Sequence, residues 1–102
     1  MNLANDQIEE MTARKNDLEF QLSLTKDIME KNEILPFPFH RSVILLVKAK
    51  RYQEALNICE YFEEWCSRAQ AGFKGHTAKL WRSPKLEDLI TRIPIIRQKL
   101  VI

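Results

Sequence analysis

Glycine and proline are so sparse in this chain that the few present punctuate it. Among 102 residues only Gly72 and Gly75 are glycine, and only Pro36, Pro38, Pro84 and Pro94 are proline. A β-sandwich or barrel needs turn residues roughly every 8–12 positions, so that architecture is excluded. Residues 3–31 contain neither type, and their apolar positions Ile8, Met11, Leu18, Leu22 and Met29 follow a 3–4 spacing. Lys15 and Thr25 stand in the gaps of that register. The pattern predicts a long first helix carrying a heptad-like stripe. A second stripe of Phe20, Leu24 and Ile28 widens the apolar face of its later half, which is expected to meet a core. A helix of this length spans about 43 Å, against about 30 Å for a small domain. The early half is therefore expected to overhang as a coiled-coil arm, with Ile8, Met11, Lys15 and Leu18 serving homodimerisation.

The prolines place the next elements. Residues 32–38 form a connector, because Leu35 and Phe37 each precede a proline and are pushed towards extended geometry. Pro38 suits the first turn of a helix, where its missing N–H costs nothing. A second helix over about 38–50 presents Phe39, Val43, Leu46 and Val47, widened by Ile44 and Leu45. A third over about 52–69 presents Tyr52, Ala55, Leu56, Cys59, Phe62 and Cys66, beside Ile58, Tyr61 and Trp65. The very short connection predicts an antiparallel hairpin over 34–70. Both glycines fall in a basic loop over 71–85. Ser83-Pro84 then reads as an N-cap and first helical position, opening a C-terminal helix over 84–102. Leu86, Leu89, Ile90 and Ile93 give its apolar face, and Pro94 is expected to kink or end it, with Ile95, Ile96 and Leu100 continuing the apolar character. The expected fold is all-α: a single four-helix domain over 1–102, with a long N-terminal helix and a central antiparallel hairpin.

Within residues 37–67, Tyr52-Gln53-Glu54-Ala55-Leu56 resembles the start of the second helix of a tetratricopeptide repeat. Phe39 falls where that repeat has its first-helix aromatic, and Ala55 on the small residue that lets its helices approach. Ser42 and Val43 replace the usual Leu-Gly pair, and Ser67 stands where the closing proline would be. The wider stretch, from Leu35-Pro36-Phe37-Pro38-Phe39 to Gly72-Phe73, is similar to small bacterial and phage repeat-like domains. The resemblance covers one degenerate unit and implies protein or peptide binding. One unit cannot bury its own faces, so the first and last helices must cover it, which favours a compact bundle over a groove.

Charge adds two candidate surfaces. The net charge is +2, but residues 1–33 hold eight acids and four bases, a net of −4, while residues 34–102 hold six acids and twelve bases, a net of +6. This asymmetry either attracts an acidic partner or fastens the first segment onto the rest. Between Ser67 and Lys85 lie Arg68, Lys74, Lys79, Arg82 and Lys85 with His76, interleaved by Phe73 and Trp81 and free of acids. Bases that neutralise phosphates beside aromatics that stack on bases make residues 67–85 an alternative nucleic-acid site.

Other classes have less support. His40, Cys59, Cys66 and His76 are the only His and Cys residues and show no Cys-x-x-Cys or His-x-x-x-His spacing, so no metal is expected. Seven positions on one helix separate Cys59 from Cys66 by about 10 Å, too far for a disulfide. No phosphate-cradling loop or nucleophile elbow occurs, and no cofactor is expected. The longest apolar run, Val43 to Val47, is far short of a membrane span. Asp6, Glu9 and Glu10 stand where a signal peptide would be basic and then apolar, so a cytoplasmic location is expected. The reading is a small non-catalytic protein–protein interaction module, an adaptor or an inhibitor of a larger partner, with Phe37, His40, Arg41, Trp81 and Arg82 as the expected partner surface.

Overall fold

Asp17 divides the first stretch in two. In the computed structural model, which describes residues 5–72 and 84–101, helix α1 spans Asn5–Ala13 and α2 spans Leu18–Glu30. The single helix expected over 3–31 is thus corrected to two helices around a corner. Arg14-Lys15-Asn16-Asp17 supplies no apolar residue to hold a continuous helix against a core. The backbone tightens instead, with Lys15 N–H donating to Thr12 O at 3.3 Å and Asp17 N–H to Arg14 O at 3.0 Å. Asp17 then adopts an extended φ of −89° and caps α2, its Oδ1 accepting from Phe20 N–H at 3.1 Å. Arg14 pairs with Asp17 at 2.7 Å and lays its guanidinium 4.1 Å over the Phe20 ring.

Three further helices complete the described chain: α3 at Pro36–Lys48, α4 at Tyr52–Gly72 and α5 at Pro84–Val101. Among the described residues there are five helices and no strand, so the all-α class holds. Helix α3 begins at Pro36, two residues before the expected start, with Leu35 extended as its cap residue. Helix α4 runs through Gly72, so residues 71 and 72 of the expected loop are helical. Pro94 lies inside α5, which continues past it to Val101. Proline removes the one hydrogen bond that the Ile90 carbonyl would receive. Pro94 is exposed on the solvent side of the helix, where water can meet that carbonyl.

Two helix ends close alike. After α2, Asn32 at φ 59° and Glu33 turn back, Asn32 N–H donating to Met29 O at 2.9 Å and Glu33 N–H to Ile28 O at 3.1 Å. After α3, Lys50 at φ 61° repeats the pattern: Lys50 N–H reaches Val47 O at 3.0 Å and Arg51 N–H reaches Leu46 O at 2.8 Å. Both are Schellman closures, which favour glycine or asparagine at the left-handed position. The second turns α3 straight into α4.

The core lies among α2 to α5. Helix α3 packs on α2, α4 and α5, and α4 also packs on α5. Phe39, Val43, Leu46, Ala55, Cys59, Phe62, Leu86 and Leu89 are fully buried. Thr25, a gap in the apolar register, is buried too: its hydroxyl meets that of Ser42 at 3.0 Å where α2 meets α3. Helix α1 stands outside this network of packed pairs. Met11 is nevertheless buried at 6% exposure, which corrects its expected place on an exposed stripe. The Gln21 amide, fully buried, donates to Met11 O at 2.9 Å and Arg14 O at 3.0 Å, tying α1's end to α2.

Candidate functional site

The chemistry-bearing cluster of the described chain is a polar seam between α3 and α5. His40 Nε2 lies 2.8 Å from Asp88 Oδ2, and Arg92 Nε, one turn on from Asp88, donates to the same oxygen at 2.6 Å. An ionised carboxylate only accepts, so the His40 ring carries its proton on Nε2. Partial burial pushes the Asp88 pKa up, but the hydrogen bonds from Arg92 and then His40, with the charges behind them, outweigh it and hold it below the usual value. Beneath the seam, Cys59 is buried, and burial pushes its thiol up to about 12 despite the Arg92 charge. Burial raises Cys66 to about 11. Both thiols stay protonated near neutrality, which suits core residues and not nucleophiles. His40 bonds Asp88, and no hydroxyl or thiol of the described residues is hydrogen-bonded to its ring. No set of His, Cys, Asp and Glu among the described residues could hold a metal ion. The seam's geometry does one thing directly: it ties α5 to α3.

The expected partner residues diverge. Phe37 is half-buried, and His40 is taken up by the seam. Arg41 turns the other way, its Nε donating to Lys15 O at 3.0 Å and its terminal nitrogen to Asn16 Oδ1 at 2.7 Å. It holds the corner between α1 and α2. Trp81 and Arg82 lie outside the described residues, as do Lys74 and Lys79 of the alternative nucleic-acid set. Of the rest of that set, Lys85 is exposed and Arg68 sits on α4, donating to Asn32 Oδ1 at 3.3 Å. Among the self-association residues, Ile8 is 44% exposed and Lys15 is exposed, whereas Leu18 packs partly buried against the core. The charge asymmetry fastens the two halves at one described ion pair, Glu19 with Arg51 at 3.3 Å.

The surface that sequence reasoning left out is the outer face of α5. Leu86, Leu89, Ile93 and Ile96 are buried, while Glu87, Thr91, Pro94, Ile95, Gln98 and Val101 are exposed on the far side at 3–4 spacing. Ile95 is 55% exposed and Val101 87%. In sequence Ile95 reads as one more member of the run Ile93–Ile96; the signal that separates it is the 3.6 period set by Leu86 and Leu89.

Comparison with protein-family models, curated proteins and solved structures finds no match to this chain. No described helix is long and apolar enough to cross a membrane.

Proposed function

We propose that this chain is a non-catalytic protein–protein interaction module, an adaptor or an inhibitor that covers part of a larger partner, and that it binds through the outer face of α5. The observation that supports this is the exposure of Ile95 and Val101, with Pro94 exposed beside Ile95, over a core that buries the other aliphatic stripe of that helix. Burying an exposed aliphatic side chain stabilises by about 1.5–3 kcal/mol, so such a face gains most when a partner covers it. The repeat-like hairpin supplies a rigid mount for it. The test is protein capture by the parent chain and by three surface variants. Ile95→Arg and Val101→Arg should lose the captured protein, and Lys26→Glu, on exposed α2 surface, should keep it. Capture indifferent to both α5 substitutions would move the binding surface elsewhere.

A further inference from the structure

The outer face of α5 is complementary to itself. We infer that it docks a second copy of this chain, the two α5 helices antiparallel and crossing at Pro94 and Ile95; this rests on the reading of that face as a binding surface. The face has a charge order along its axis. Glu87 stands at the N-terminal end, Thr91, Pro94, Ile95 and Gln98 are uncharged, and Lys99, one turn on from Ile95, stands on the edge of the face at the C-terminal end. Arg97, on the opposite flank, is already paired with Glu60 at 2.9 Å. The Glu87 carboxylate and the Lys99 ammonium have no ion-pair partner among the described residues. Two unpaired opposite charges thus bracket one uncharged strip with Pro94 and Ile95 at its centre.

Antiparallel pairing centred between residues 94 and 95 satisfies both ends at once. Ile95 meets Pro94 and Ile95 of the second copy, Thr91 lies opposite Gln98, and the long side chains of Glu87 and Lys99 reach each other across an offset of three residues, about 4.5 Å along the axis. Parallel pairing sets Glu87 on Glu87 and Lys99 on Lys99, and aligns the helix dipoles. A two-fold axis needs only this one patch, used twice, and closes on itself without forming a filament. The strip runs about 21 Å from Glu87 to Val101 at 1.5 Å per residue. Two single helices crossing there bury less than the roughly 800 Å² per partner of a standard interface. The dimer is therefore weak, and it occludes the face that a partner protein would use, so the two associations exclude each other.

Sedimentation equilibrium of the full chain from about 10 µM to about 1 mM tests this. The mass should rise from 12.1 kDa towards twice that value. Ile95→Arg should raise the dissociation constant at least about tenfold, its far-UV melting curve overlying the parent's; if it does not fold, Gln98→Arg replaces it on the same face. Glu87→Lys and Lys99→Glu should each weaken the dimer, and the double variant should restore it. Under oxidation, a mixture of Thr91→Cys and Gln98→Cys chains should form crossed disulfides, whereas Thr91→Cys alone should not. A monomer at the highest concentration, a dimer indifferent to residue 95, or self-linking of Thr91→Cys would each overturn the inference. A monomer whose partner capture still requires Ile95 overturns the dimer and keeps the binding face. A dimer disrupted by Ile95→Arg, with capture unchanged, keeps the dimer and overturns the partner reading.

Discussion

The corner between α1 and α2 and the core packed around α3 are held by different forces. In the corner the ties are polar: the Gln21 amide on two carbonyls, Arg41 on Lys15 and Asn16, and Asp17 capping α2. In the core they are aliphatic and aromatic side chains with no exposure. A hydrogen bond contributes about 1 kcal/mol net, whereas a buried large side chain contributes several times that. The corner is thus defined by direction and the core by volume. Helix α1 should open locally at a free energy well below global unfolding.

The largest effect should come from Phe39→Ala. Phe39 is fully buried and sits 6.0 Å from the Tyr61 ring, centroid to centroid. Its loss should lower global stability by about 3–5 kcal/mol, read as a shift in the urea midpoint. Gln21→Ala should come next, at about 1–3 kcal/mol, because it strands the Met11 carbonyl and leaves Arg14 O with the Asp17 N–H alone. Its signature is regional: amide exchange should accelerate in α1 far more than in α4. Equal acceleration in both helices would show that the corner and the core unfold as one unit, and the contrast drawn above would collapse.

The two regions also differ in how far they were legible. The core stripes of α3, α4 and α5 follow the 3.6 period closely enough that Phe39, Val43, Leu46, Ala55, Phe62, Leu86 and Leu89 are read off the chain. The corner was hidden by the same rule. Ile8, Met11, Leu18, Leu22 and Met29 keep one register across the break, because four residues of turn nearly equal one helical turn. Asp17 has the residue type of an N-cap, but the unbroken register conceals the helix start that it marks. Thr25 and Ser42 were illegible for another reason: each is polar, and only their mutual hydrogen bond lets them be buried. The His40–Asp88 seam joins residues 48 apart, and no local pattern encodes such a pairing. The exposed face of α5 was obscured because Ile95 sits inside an apolar run whose members point in different directions.

Lys50→Gly sharpens the comparison from the stabilising side. Lys50 holds φ 61° in the closure between α3 and α4, a left-handed conformation that costs a side-chain-bearing residue about 1 kcal/mol. Glycine enters it without that cost but gives back part of the gain through a freer unfolded chain. The net should be a stabilisation of up to about 1 kcal/mol. Because the turn joins two core helices, protection should rise in α3 and α4 and leave α1 unchanged. A parallel rise in α1 would again deny that the corner opens on its own.

The smallest effect should be acid-linked, and it sets one carboxylate of each region against the other. Asp88 and Asp17 both have pKa values below the ordinary one. For Asp17 the cause is the hydrogen bond from Arg14, then that from Phe20 N–H. A carboxyl whose folded pKa is depressed adds stability above its unfolded value of about 3.9, and that stability is lost as pH falls through the folded pKa. Neither contribution should change between pH 7 and pH 5, and both should fade below about pH 4. Asp88 is partly exposed and its pair is screened, so its share is below about 1 kcal/mol. Asp88→Asn should lower the urea midpoint slightly at pH 7, and the difference from the parent should shrink as pH falls below about 4. Asp17→Asn keeps a capping side chain and loses only the Arg14 ion pair. Its effect should surface in α1 exchange and leave the global midpoint in place. A global shift for Asp17→Asn as large as that for Asp88→Asn would mean that the polar corner carries the core with it.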